Sequence, residues 1–239
     1  MTCKEGDILE KFSAELMATL DCKTSFTIPL FGGIAVPESV TLSWIIMGVI
    51  MILTLIFVRN FKLIPTGVQN YIEFLVEFLN KFFLDILGKE GKQFLPYLGT
   101  VAIYIGLSNT IGVFGLRAPT KDLNVTAGLA FTAIFMIEYS GVKVRGFKGY
   151  LKSFAEPMPI LAPINVLEIL IRPLSLCMRL YGNILGAFIV MEMLKIILPV
   201  FVPVVFGFYF DIFDGLIQTY IFIFLTSLFM SHKMEIPEE

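Results

Sequence analysis

The sequence predicts an all-α integral membrane protein with five membrane-crossing helices and one amphipathic helix on the cytoplasmic side. Three observations carry this. Hydrophobic residues make up 56% of the 239-residue chain and charged residues only 16%, at a mean hydropathy of +0.83, a composition suited to lipid rather than water. The apolar residues gather into runs that approach the ~20 helical residues needed to cross a hydrocarbon core ~30 Å thick. Polar and basic segments punctuate those runs, which sets both the ends of the helices and their orientation.

The same composition excludes several classes of function. A formal net charge of −2 leaves no basic surplus for nucleic acid. Met1 to Leu20 is charged throughout and has no apolar core, so it does not read as a signal peptide. Three cysteines, Cys3, Cys22 and Cys177, form neither a disulfide framework nor a metal motif, and whether Cys3 and Cys22 pair is left open. The single His232 stands at the chain end, which argues against a His-ligated metal site. No cofactor is implied. With no repeat and no long soluble linker, residues 1–239 read as a single transmembrane domain.

Residues 1–38 are an external N-terminal segment, polar and mixed, with Gly32, Gly33 and Pro37 near its end. The first membrane helix is predicted over 40–58 and stops at a segment carrying Arg59 and Lys62, whose charges assign it to the cytoplasm. Pro65 and Gly67 then break the chain. Over 68–88, Glu73, Glu77, Lys81 and Asp85 recur every four residues among Leu75, Phe78, Phe82 and Leu84. This is an amphipathic helix, lying on the membrane surface or packed on neighbouring protein. The basic residues of KEGK keep it cytoplasmic.

A second span over 94–114 holds Ser108, Asn109 and Thr110 in its interior. A polar turn containing Pro119 leads to a short third span over 127–139. The loop after it carries Lys143, Arg145, Lys148 and Lys152, the most basic stretch in the chain, and is assigned to the cytoplasm. Next comes a helix over 163–198, about 54 Å long at 1.5 Å per residue, so it must tilt steeply or lie partly along the membrane plane. Pro199 and Pro203 mark an outside turn, and a last helix over 205–231 pairs with its predecessor as a long tilted hairpin and ends at His232 and Lys233. The N-terminus is thus outside and the C-terminus cytoplasmic, with a bacterial plasma membrane as the expected location.

The long fourth span is the element the chain turns on. At about 100° per residue, Glu168, Arg172, Ser175, Arg179, Asn183 and Gly186 fall within roughly 60° of one line along it. An Arg at the centre of a membrane helix costs about 2.5–3.5 kcal/mol on insertion scales, so such a stripe is expected to face protein or water rather than lipid. Arg172 stands one turn from Glu168 and is expected to pair with it. In the last helix, Asp211 and Gln218 are seven apart and share a face, with Asp214 off that line.

The residues of these two helices carry a resemblance. RPLSLCMRLYGN at 172–183 resembles the RPLSLxxRLxGN signature of subunit a of F-type ATP synthases, the stator subunit that faces the rotating c-ring. PTKDLNVTAGLA at 119–130 is similar to that family's PTxDxNxT motif, and LIQTYIFIFLTSLFM at 216–230 to its final helix. The three stand in family order and the resemblance spans nearly everything from Val40 to Met230. It implies that Arg179 is the essential arginine, Asn183 its neighbour one turn on, Gln218 the glutamine facing it, and Asp211 the ionisable residue of the inlet half-channel. Some members carry Glu or His nine residues after the arginine; Phe188 stands there in this chain.

The resemblance further implies a non-catalytic subunit that passes H+ or Na+ to and from c-ring carboxylates through two offset half-channels. Its implied partners are the c-ring, subunit b of the peripheral stalk, the rest of the ATP synthase complex and membrane lipid. Glu168, Arg172, Asp214 and Asn109 are read as supporting residues. Each has a plainer reading as well: Arg172 as an ion-pair partner, Asn183 and Asn109 as helix-to-helix hydrogen bonds, Asp211 as a solvated rim residue near the outside turn. The competing function is a secondary transporter with a charged midplane site, against which stands the absence of an inverted repeat.

Overall fold

The computed structural model describes residues 24–28, 34–58, 67–114, 116, 118–153, 162–197 and 201–235. Cys3, Cys22, Arg59, Lys62 and Pro199 lie outside these residues, as do the side chains of Glu192 and Lys195. Five helices are long and apolar enough to cross a membrane. They are α1 (Glu38–Val58), α3 (Leu95–Thr110, extended by 3-10 turns at Lys89–Phe94 and Ile111–Phe114), α4 (Leu123–Ser153), α5 (Ala162–Ile197) and the last span. That last span is composite: α6 (Phe201–Phe208), a π-helical turn (Tyr209–Asp214) and α7 (Gly215–Met234). The amphipathic α2 (Val68–Leu87) precedes α3.

A short antiparallel pair, β1 (Thr24–Ile28) and β2 (Ile34–Pro37), leads into α1. The polar N-terminal segment does not announce it by alternation, and Pro37 both closes β2 and hands the chain to the helix.

The third span is longer than the apolar run that predicts it. Asp122 caps α4: its Oδ1 accepts from the Asn124 amide at 2.9 Å and its carbonyl from the Thr126 amide at 3.1 Å. The helix therefore starts a turn before Ala127. At the other end no proline or turn residue interrupts VKVR, so the basic segment predicted as a loop stays helical until Gly146, whose φ of 71° breaks the axis. The last span also begins earlier than predicted, at Phe201, with Pro203 tolerated in its first turn. In α5 the helix runs on through Pro173, which lacks the amide that would bond the Ile169 carbonyl.

Two apolar clusters hold the bundle together, and α7 contributes to both. One joins Phe83 and Leu87 of α2, Leu98 of α3, Ile137 of α4 and Met230 of α7. The other joins Ile105 of α3, Ala133 of α4, Leu176 and Leu180 of α5, and Phe222 of α7. The open question about α2 resolves along its length. Phe83 and Leu87 are core residues, whereas Val68, Tyr71, Phe74, Leu75 and Phe78 are exposed. The carboxyl half packs on the bundle; the amino half presents an apolar surface of the kind that membrane-surface helices bury in lipid.

Three basic segments converge at one end of the bundle. Lys143 lies over the Phe94 ring at 5.7 Å, bringing the basic part of α4 onto the KEGKQF turn, and Lys233 Nζ is 3.6 Å from Glu138. Lys89, Lys92, Lys143, Arg145, Lys148 and Lys233 therefore share an end, the distribution that sets orientation in a bilayer. Cysteines introduced singly at Leu116 and Lys148, both exposed, in a background without native cysteines, should be labelled by a membrane-impermeant reagent from opposite sides. Labelling of both from one side would rule out this arrangement.

Candidate functional site

Among the described residues, the two helices that carry the polar residues of interest meet through one side-chain hydrogen bond. Asn183 Nδ2 of α5 donates to Gln218 Oε1 of α7 at 2.9 Å. Gln218 is only 1% exposed, and its own amide nitrogen is buried without a partner among the described residues. An unpaired buried donor is costly, about 1–3 kcal/mol, so it marks a position held for more than packing.

Arg179 stands one turn before Asn183 on α5. It is exposed, as are Ser175, Gly182, Asn183 and Gly186, so the middle of the predicted stripe looks out of the bundle. It makes no bond to Gln218, and among the described residues no hydrogen bond or ion pair holds its guanidinium. A Cβ at Gly182 or Gly186 would meet nothing within 4 Å. The inner face of α5, in contrast, is closed: Leu176, Cys177 and Leu180 are buried, and Thr126 Oγ1 lies 3.7 Å from Cys177 Sγ.

The lower end of the stripe behaves differently. Arg172 turns inward, its side chain 11% exposed, pairs with Glu168 one turn back and lies over the Phe229 ring at 4.9 Å. Beside it stands a second cluster, in which Tyr150 donates to Glu138 Oε2 at 2.6 Å and Lys233 approaches the same oxygen. These ties make this end of the bundle an ionic knot, consistent with the structural reading of Arg172.

Around Asp211 the structure departs from the predicted helical register. The π turn at Tyr209–Asp214 widens the helix between Asp211 and Gln218, so their spacing of seven no longer follows plain α-helical register. The Asp211 carboxylate packs on Gly112: a Cβ there would stand 2.6 Å from Oδ1. Asp211 thus sides with Gly215 and Thr219 toward α3, whereas Gln218 faces α5. Its half-buried place against α3 also sets it apart from a freely solvated rim residue. Asp214 is half-buried on the same turn.

Asn109 fastens this region. Its amide donates to the Gly215 carbonyl at 3.2 Å and to Thr219 Oγ1 at 3.3 Å, while Thr120 Oγ1 donates to Asn109 Oδ1 at 2.8 Å. Asn109 is thus an interhelical tie, as one of its two readings had it, and it links α3, α7 and the Pro119–Lys121 turn. That turn carries a residue that the sequence reading passed over. Lys121 Nζ lies 5.1 Å from the centre of the Phe188 ring and interacts electrostatically with Asp211. Its only sequence signal is a cation inside the PTKD motif. Among the described residues no three His, Cys, Asp or Glu side chains gather in a way that would hold a metal ion.

Gly215 tests this construction. A Cβ there would come within 3.1 Å of the Asn109 Cβ, so Gly215→Val should lower the thermal stability of the purified protein, by about 1–3 kcal/mol as overpacking does. Gly48→Ala, where a Cβ meets nothing within 4 Å, is the control and should leave the transition unmoved.

Comparison with known proteins accounts for this arrangement. A family profile described as ATP synthase A chain matches residues 40–231, from the first span to the last. The chain is similar to ATP synthase subunit a of Moorella thermoacetica, 34% identical over 206 residues, which cover 84% of this chain and 92% of that protein. It is equally similar to ATP synthase subunit a 2 of a Bradyrhizobium species, 34% identical over 208 residues covering 87% and 93%. With five apolar helices in the arrangement described, the chain belongs to the ATP synthase A chain family, as a multi-pass, non-catalytic membrane subunit of that complex.

Proposed function

We propose that this chain forms the stator side of a rotary ion path, in which two offset half-channels pass H+ or Na+ to and from the carboxylates of a c-ring and Arg179 is the fixed positive barrier between them. The observation that carries the reading is the exposure of Arg179 on the outer face of an apolar span, with no ion-pair partner among the described residues. A guanidinium does not deprotonate in proteins, so it cannot escape the membrane by becoming neutral. A charge so placed calls for an anion supplied from outside the chain.

A passing carboxylate fits that need. It turns through lipid only when neutral, carrying its proton or Na+, because burying the bare anion is costly. Beside Arg179 the ionised form is favoured, so the bound ion is released there. Released ions leave toward one half-channel and new ions arrive from the other, while the fixed charge keeps them from crossing directly. Each charge moved gains about 2.3 kcal/mol per 100 mV, and this drives rotation.

The neighbouring residues take roles by position. Asn183 and Gln218 form a polar lining one turn from Arg179, Asp211 is the relay of the inlet half-channel, and Asn109 and Asp214 support it. Glu168 and Arg172 brace the outlet end. Subunit b and lipid cover the remaining apolar surface, including the outer face of α1. The shared basic end supports a plasma-membrane orientation with the C-terminus in the cytoplasm and the N-terminus outside. A secondary transporter would instead enclose its charged group between helices, whereas Arg179 looks outward.

In reconstituted vesicles, Arg179→Ala should abolish ATP synthesis driven by an ion gradient and raise passive ion flux once the catalytic head is removed. Arg179→Lys should also fail at coupled synthesis, because a desolvated lysine neutralises where arginine does not. Wild-type synthesis in an assembled Arg179→Ala complex would overturn the barrier. Asp211→Asn should assemble normally and slow transport about tenfold or more, since an amide cannot relay a proton. Gly186→Leu probes the outer face itself: with open space around it, the isolated chain should fold as before while coupled synthesis falls. Unchanged synthesis would mean that no rotor passes there.

A further inference from the structure

Asp211 is held in a setting that its own helix does not supply. Gly112 at the end of α3 lies against its carboxylate, and Lys121 of the Pro119–Lys121 turn, which rests on Phe188 of α5, is within its electrostatic reach. Gly112 gives the carboxylate a floor, because any larger residue would occupy the space that Oδ1 fills, 2.6 Å from where its Cβ would stand. Lys121 comes from a turn whose geometry is fixed on both sides. Thr120, fully buried, bonds Asn109 at 2.8 Å, and the Asp122 carboxylate receives the Ser39 hydroxyl and caps α4. A lysine on so constrained a backbone has few places to go, and its ammonium rests over the Phe188 ring at 5.1 Å. Cation–π contact of this kind is worth about 0.5–2 kcal/mol, the larger value where water is excluded.

We propose that Lys121 is a positioning residue of the inlet: seated on the Phe188 ring, it aims the Asp211 carboxylate into the ion path and supplies the countercharge that keeps it there. The proposal rests on the reading of Asp211 as the inlet relay. It follows from how the parts are shared among segments. The π turn frees Asp211 from the register of α7 but gives it no hydrogen-bonding partner of its own. A carboxylate on a widened turn has rotamers to lose, and a fixed cation facing it selects among them. Phe188 then acts one step further back, as the surface that fixes the cation.

The test is a double-mutant cycle on gradient-driven ATP synthesis in the intact complex, with assembly checked by subunit composition. Lys121→Met keeps the length of the side chain and removes its charge; it should cut the rate about tenfold. In an Asp211→Asn background the same substitution should have little further effect, since the group it positions is gone. Lys121→Arg should restore most of the rate. Phe188→Leu, with Lys121 retained, should give a smaller loss that also vanishes in the Asp211→Asn background. A wild-type rate for Lys121→Met would overturn the proposal, and so would losses that multiply with Asp211→Asn, which would mark Lys121 as structural. If Lys121→Met fails to assemble, Phe188→Leu decides by the same criterion. Failure of the underlying reading is separate: it shows as a wild-type rate in Asp211→Asn alone.

Discussion

A guanidinium that cannot shed its proton, set on the outward face of an apolar helix, is the constraint on which this structure depends. Water is absent at that depth and lipid offers nothing in return, so Arg179 is stable in the membrane only beside an anion or a polar surface from another subunit. The chain gives it neither on the described residues. The small residues around it, Gly182 and Gly186, leave that face open. The helix thus has a closed inner side, built from Leu176, Cys177 and Leu180, and an open outer side, on which the proposed rotor contact rests.

Inside the bundle the opposite rule holds. Asn109 ties α3 to α7 and to the Pro119–Lys121 turn through three hydrogen bonds, and Thr126 Oγ1 of α4 lies 3.7 Å from Cys177 Sγ of α5. Polar groups there are spent on holding α3, α4 and α7 in register, each bond modest in energy but expensive to leave unmade. Among the described residues the buried atoms without partners include the Gln218 amide nitrogen, Glu138 Oε1 and Arg172 Nη1, and also the Ser108 and Ser227 hydroxyls of the interior. The interior is therefore held where it must position α5 and α7, though not every polar group in it is satisfied.

How much of this was legible in the sequence follows from what each signal depends on. Span locations were readable because hydrophobic length is a direct requirement of the bilayer; α1, α2 and α5 begin and end within two residues of the apolar pattern. The Glu168–Arg172 pair followed from helical spacing alone. The extent of α4 was missed at both ends, because its start is set by the Asp122 cap and its end by one glycine rather than by hydropathy. The π turn was also invisible. FYFDIFDG carries no proline or glycine pair to mark it, and only packing against Gly112 and Asn109 selects the wider turn. Helical spacing alone also gave no sign of the link between Asp211 and Lys121.

Distance along α5 ties these regions into one device. From Arg179 to the Glu168 pair is eleven residues, about 16 Å of helix, and from Arg179 to Phe188 nine residues, about 14 Å. The sum is close to the ~30 Å of the hydrocarbon core. Along the helix axis Arg179 thus stands between two levels, with Lys121 over the Phe188 ring at one and the knot of Glu168, Arg172, Glu138 and Lys233 near the other. On the proposed reading these two levels lie on opposite sides of the fixed charge, so an ion entering at one and leaving at the other does not pass straight along α5. On that reading the ion is carried around by the rotor, and the open face beside Arg179 is the one offered to it.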